Sequence, residues 1–116
     1  MTRDEYLRDV MDAYLDSPDT PIRPAIRDWT LADELYRKRI APSTVAHAVR
    51  LATLRRHRRD PNLEPLEPIR SLAYFKAEIE YLHQHPQDPG YVEYVKWSYA
   101  ERLDSPFPMR EEENRR

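Results

Sequence analysis

A chain of 116 residues is long enough for one domain with a modest core and too short for two ordinary ones. It has no cysteine, which excludes disulfides, thiolate zinc sites and cysteine nucleophiles. It has one glycine against eleven prolines, which argues against a hairpin-rich β fold because tight hairpins need positive φ. Net charge is only −2 but unevenly spread: residues 1–36 hold four Arg against nine acids, 37–76 ten Lys or Arg against three, and 77–116 five against nine. The middle third can therefore face a polyanion, or it can pair with the acidic flanks of its own domain; the charges alone leave the two about even. No apolar run approaches the length of a membrane span, and the opening Arg3-Asp4-Glu5 is no signal peptide. A cytoplasmic protein with no membrane partner is the expectation.

In chain order, Thr2 with Glu5 fits a capping box, and Tyr6, Leu7, Val10, Met11, Tyr14 and Leu15 repeat at helical spacing. A first helix is expected from about Arg3 to Leu15, its Asp4, Asp9, Asp12 and Asp16 forming a solvated face rather than a metal site. Ser17 to Pro24 reads as a turn-rich connector, with Ile22 and Ile26 tucking into the core. Asp28 or Thr30 would cap a second helix whose apolar side runs Trp29, Leu31, Ala32, Leu35, Tyr36 and Ile40. Arg37, Lys38 and Arg39 fall in its last turn, where cations complement the helix dipole; that role is preferred to ligand binding.

Pro42-Ser43 opens a third helix with Ser43 as the expected cap, an alanine-rich apolar side, and Arg50, Arg55, Arg56, Arg58 and Arg59 crowded into its second half. Five arginines exceed what a dipole uses and repel one another, so acids from the flanks or phosphates should compensate them. Asp60 to Pro68 holds Pro61, Pro65 and Pro68 and reads as an extended surface loop pinned by Leu63 and Leu66. A fourth helix is expected from Ile69 or Ser71 to His83, with Leu72, Phe75, Ile79 and Leu82 inward. Asp88-Pro89 starts a fifth that carries Tyr91, Val92, Tyr94, Val95, Tyr99 and Leu103, with Trp97 on another side. The charged segment from 105 on is expected to be disordered. The fold expected is a compact all-α bundle of about five helices in a single domain over residues 1–104.

Catalytic chemistry is hard to place. Phosphate-cradling glycine loops are impossible with one glycine. Glu78 and Glu80, two apart on a helix, diverge. His83 and His85 share no helical face, so a polar helix end is preferred there to a metal site. His47 has no recognisable nucleophile partner and reads as a core-edge histidine. No enzyme activity, metal or cofactor is expected. What remains is recognition. Arg50, Arg55, Arg56, Arg58, Arg59, Arg70 and Lys76 are candidate phosphate contacts, with Tyr74 placed to stack on an unpaired base. Against this, tyrosines in a small helical domain more often complete the core, and that reading is preferred for Tyr74, Tyr91, Tyr94 and Tyr99.

The order of features from Trp29 through Ala41-Pro42-Ser43-Thr44-Val45 to Ser71-Leu72-Ala73-Tyr74-Phe75 resembles the C-terminal helical domain of DnaD-like replication-initiation and primosome proteins. It departs from that pattern where Glu78 stands for the family's isoleucine and Leu82 for its tryptophan. Pro68-Ile69-Arg70-Ser71-Leu72-x-Tyr74-Phe75 is also similar to a run in proteins of mobile genetic elements. The resemblance implies a helical module that binds DNA and helps load the replicative helicase. Separately, nucleic acid, DNA before RNA, and a helicase, nuclease or transposase are the expected partners. Two expectations follow: a non-catalytic nucleic-acid-binding accessory domain, or a protein–protein adaptor or homodimerising subunit that uses Tyr91, Tyr94, Trp97 and Tyr99. They differ in where those four aromatics point.

Overall fold

Thr2 caps the first helix as its sequence demands. Its hydroxyl accepts from the Glu5 amide at 3.1 Å and its own amide donates to the Glu5 carboxylate at 2.7 Å. The computed structural model describes residues 1–104, all helix and connection with no strand among them; the expected tail lies outside the described residues. The helices are α1 (Arg3–Leu15), α2 (Ile26–Arg37), α3 (Pro42–His57), α4 (Lys76–Gln84) and α5 (Pro89–Tyr99). A 3₁₀ turn, Leu72–Phe75, leads into α4, and a π-helical turn, Ala100–Asp104, extends α5.

The bundle is organised around α3, which packs against α1, α4, α5 and the 3₁₀ turn. Its Val45, Ala48, Val49 and Ala52 are buried with Val10, Met11 and Tyr14 of α1, Leu35 of α2, and Leu72, Phe75, Ile79 and Leu82. The alanines let α1 approach closely. No helix among the described residues is long and apolar enough to cross a membrane. A smaller cluster of Leu54, Val95 and Tyr99 holds α5 to the outer side of α3.

Three local expectations need correction. Ile22 and Ile26 do not enter the core; they are 93% and 85% exposed. The connector is held by polar atoms instead: Thr53 donates to the buried Ser17 hydroxyl at 2.9 Å, and Ser17 accepts from the Asp19 amide. Asp28 is not the residue that precedes α2 but sits in its first turn, with Ala25 as N-cap. Its buried carboxylate reaches back to the Ala25 amide at 2.8 Å and out to the Leu72 amide at 2.9 Å, tying α2 to the 3₁₀ turn. Ser43 likewise does not cap α3; Ala41 does, without a side-chain bond.

Between α2 and α3 the chain turns through Arg39 at φ 61°. The Arg39 amide bonds Tyr36 O at 3.0 Å and the Ile40 amide bonds Leu35 O at 3.2 Å. This is the helix ending usually built on glycine, here closed by buried Ile40 against buried Leu35. Asp88 caps α5 as expected, its carboxylate accepting from the Gly90 and Tyr91 amides at 2.9 and 3.2 Å.

Candidate nucleic-acid interface

The proline-rich segment between α3 and the 3₁₀ turn is pinned by arginines, not by leucines. Leu63 and Leu66 are exposed. Arg56 extends from the last turns of α3 beneath the loop, its side chain only 10% exposed. Its guanidinium donates to Asp19 at 2.9 Å, to the Glu67 carbonyl at 2.8 Å and to the Tyr74 hydroxyl at 3.3 Å. Burial works against its charge, but the Tyr74 and Asp19 bonds outweigh that and raise its pKa above the ordinary arginine value. Asp19 also takes His57 at 3.2 Å, and its carbonyl accepts from the Ile69 amide at 2.9 Å. Arg59 donates to the Glu64 carbonyl at 3.2 Å. Part of the crowded positive charge is thus compensated by the chain's own oxygens.

Beside this anchor lies a groove of about 380 Å³ lined by Arg55, Arg56, Arg59, Leu66, Tyr74 and Glu78, among others. Tyr74 is 52% exposed, which corrects its assignment to the core. Its ring meets Phe75 edge-on at 5.1 Å, and the Arg56 guanidinium lies 5.6 Å from its centroid. These contacts fix the ring while leaving half of the residue open. Arg55 stands at the rim with its side chain 66% exposed and pairs with Glu78 at 3.2 Å. Arg58, three positions on, is exposed and makes no ion pair among the described residues.

Of the eight residues singled out, the groove gathers Arg55, Arg56, Arg59 and Tyr74, and Arg56 serves as anchor rather than free cation. The others do not line it. Arg50 borders a separate cleft with Asp12 and Asp16 between α1 and α3. Lys76 pairs with Glu34 at 3.4 Å, in a cluster where Lys38 bonds Glu80 at 2.7 Å and Glu34 at 3.2 Å. Those lysine bonds hold both carboxyls below the usual carboxylate range. Arg70 is exposed, and its carbonyl accepts from Arg27 at 2.9 Å. Sequence reasoning missed Asp19 as the hub of the anchor; an aspartate in a connector carries no spacing that would mark it.

On the far side of α3 the aromatics of α5 divide. Tyr99 is buried, its hydroxyl donating to the Asp16 carbonyl at 3.2 Å, so it belongs to the core and not to a docking face. Tyr91, Tyr94 and Trp97 are 45%, 55% and 60% exposed, which corrects the core assignment of the two tyrosines. The Tyr94 and Trp97 rings lie 6.1 Å apart. His85 stacks on Tyr81 at 4.3 Å instead of joining His83, and among the described residues no three His, Cys, Asp or Glu side chains gather as metal ligands.

The chain matches no protein-family model, no curated protein and no solved structure.

Proposed function

We propose that the protein is a non-catalytic module that binds single-stranded nucleic acid along the groove at the end of α3. The observation that carries this reading is the half-exposed Tyr74 ring, braced by Arg56 and Phe75, in a groove edged by Arg55 and Arg59. A base stacks on an aromatic face irrespective of its identity, while arginines take the phosphates beside it. With Arg56 committed to the fold, Arg55 and Arg59 of the groove and the exposed Arg58 outside its lining are the cations that meet the strand. Three phosphate contacts give modest affinity with little sequence preference, as suits an accessory domain working beside a DNA-processing partner. The sequence resemblance to replication-initiation domains favours DNA and a helicase as that partner.

Replacing Arg55, Arg58 and Arg59 together by glutamine keeps the Arg56 anchor, gives up the Arg59 bond to the Glu64 carbonyl, and tests the reading. Binding of a labelled oligothymidylate should fall at least about tenfold, a change of about 1.4 kcal/mol. Unchanged binding would remove the proposal.

The outer face of α5 favours a second reading, self-association. Glu93 and Lys96 flank Tyr94 with opposite charge, and neither has an ion pair within the chain among the described residues. A two-fold axis near Tyr94 would set each against the other's counterpart and Tyr91 against Trp97. Three half-exposed aromatics offer roughly 300 Å² per copy, against the roughly 800 Å² of a stable interface, so any dimer is weak. Sedimentation should show mass rising with concentration, and Trp97→Ala should abolish the rise. A monomer at all concentrations sinks this reading.

A further inference from the structure

The stretch from the end of α4 to the middle of α5 is thinly attached to the rest of the molecule. Residues 83–94 include no buried residue, and only Gln87 and Val92 are half-buried. Beyond helical bonds, their hydrogen bonds are local: His85 with Tyr81, Gln87 with His85, and Gly90, Tyr91 and Val92 with Asp88. Among the described residues, no hydrogen bond or ion pair ties them to α1, α2 or α3. Packing beneath them is incomplete as well, since a cavity of about 420 Å³ separates Pro86, Gln87 and Val92 from Thr44 of α3. Few buried contacts and no polar ties place such a stretch at the low end of local stability. The other half of α5 is held differently, through buried Val95 and Tyr99 against Leu54.

One ring-to-ring contact joins this stretch to α3. Tyr91 meets His47 edge to face, with centroids 6.1 Å apart. His47 is 4% exposed, and neither of its ring nitrogens reaches solvent or a hydrogen-bond partner. As a neutral ring it packs as a largely apolar body. As an imidazolium it would carry a charge and two N–H donors with nothing to receive them. The groups around it supply little relief. Arg50 of its own helix opposes its charge, Glu78 of α4 favours it, and α5 offers only the Tyr91 ring. Arg39 before α3 and His83 of α4 border the adjoining cavity and add no acid.

We propose that residues 86–94 form a flap on α3 that the neutral His47 ring keeps shut and that protonation of this ring opens. With the flap lifted the imidazole meets water and its two donors are satisfied. Burial, then Arg50, keeps the closed-state pKa below the ordinary value, while the open state returns to about 6.5. The open form therefore gains on the closed one as pH falls below about 6.5. The gain is at most about tenfold per pH unit and ends once the closed-state pKa is passed. The hinges are the end of α4, where His85 leaves helical geometry, and Val95, where burial resumes. The flap lies at the start of α3, away from the arginine groove, and does not rest on how that groove functions.

The test is backbone hydrogen exchange on the full chain at about pH 7.5 and about pH 5, corrected for intrinsic exchange rates. The Val92, Glu93 and Tyr94 amides should lose at least about threefold more protection at the lower pH than amides of α1 and the middle of α3. His47→Phe keeps an aromatic ring against Tyr91 and removes the titration, so the excess loss should vanish. In the parent, the His47 ring signals in NMR should titrate over the same pH range as the loss of protection, a readout that needs no variant. Equal loss across α1, α3 and α5 would overturn the proposal, because the whole domain would then be opening. So would the same excess loss in His47→Phe, or a His47 titration at a pH unrelated to the opening.

Discussion

The last turns of α3 and the outer face of α5 each display residues of the kind that recognise partners, yet the fold treats them in opposite ways. At the end of α3 the cations are built into the structure: Arg56 spans three oxygen partners and Arg59 holds a loop carbonyl. On α5 Val95, Ser98 and Tyr99 are buried, while Tyr94 and Trp97 are left outside. The difference shows that a run of like charge need not be a free surface. Arginine reaches far enough to staple a glycine-free loop through its carbonyls, whereas an exposed Tyr–Trp pair has no such structural employment.

Breaking the staple should have the largest effect. Arg56→Ala leaves Asp19 and the Glu67 carbonyl without their donor, and stability should fall by about 2–3 kcal/mol. For a domain of this size that lowers Tm by roughly 10–20 °C in a thermal melt. A loss below about 0.5 kcal/mol would mean that the loop does not depend on Arg56. Removing Asp28 should cost a similar amount by another route: Asp28→Ala frees the Ala25 and Leu72 amides together, about 2–3 kcal/mol by denaturant titration.

Next comes the buried imidazole on the same helix. The groups that bear on His47 are Arg50 of its own helix, Glu78 of α4 and the Tyr91 ring of α5. Its folded pKa lies below the unfolded value near 6.5, so the unfolded chain protonates first as pH falls. Stability should therefore decline below about pH 6.5 until the folded pKa is passed, and then level as regards this group. Denaturant titrations of the parent and of His47→Phe should diverge across that window. Parallel curves would contradict the assignment. The half-buried carboxyls Glu34 and Glu80, held low by lysine bonds, act in a lower window. Their contribution is complete above the ordinary carboxylate pKa and is lost as pH falls through the depressed folded values.

The smallest effects on stability should come from the surface sets themselves. Tyr94→Ala, Trp97→Ala and Arg58→Gln should each leave the unfolding free energy within about 0.5 kcal/mol. A large loss in any of them would show that the side chain is structural.

Much of the architecture was legible in the sequence because it follows from local rules. The Thr2–Glu5 capping box, the Asp88-Pro89 start and the inward Leu72, Phe75, Ile79 and Leu82 all stand as read. The errors arose where side chains act at long range. Asp28 was visible as a helix-starting residue, but its bond to the Leu72 amide, 44 positions on, leaves no local trace. Ile22 and Ile26 were assigned to the core on hydropathy alone, although the connector is anchored through Ser17 and Asp19. For the site, the arginine cluster and Tyr74 could be named from the sequence. Which arginine is a staple and which is free could not, because that depends on where Asp19 and the Glu67 carbonyl come to lie.

The most direct test of the central claim is the salt dependence of single-strand binding by fluorescence anisotropy, with a labelled oligothymidylate and the full chain. Contacts from Arg55, Arg58 and Arg59 imply that log K falls against log salt with a slope near −2, from about −0.7 per phosphate on a single strand. Tyr74→Ala should weaken binding by about 1–3 kcal/mol while leaving that slope unchanged. No binding at low salt, or binding indifferent to both salt and Tyr74, would contradict the account and leave the groove without a nucleic-acid role.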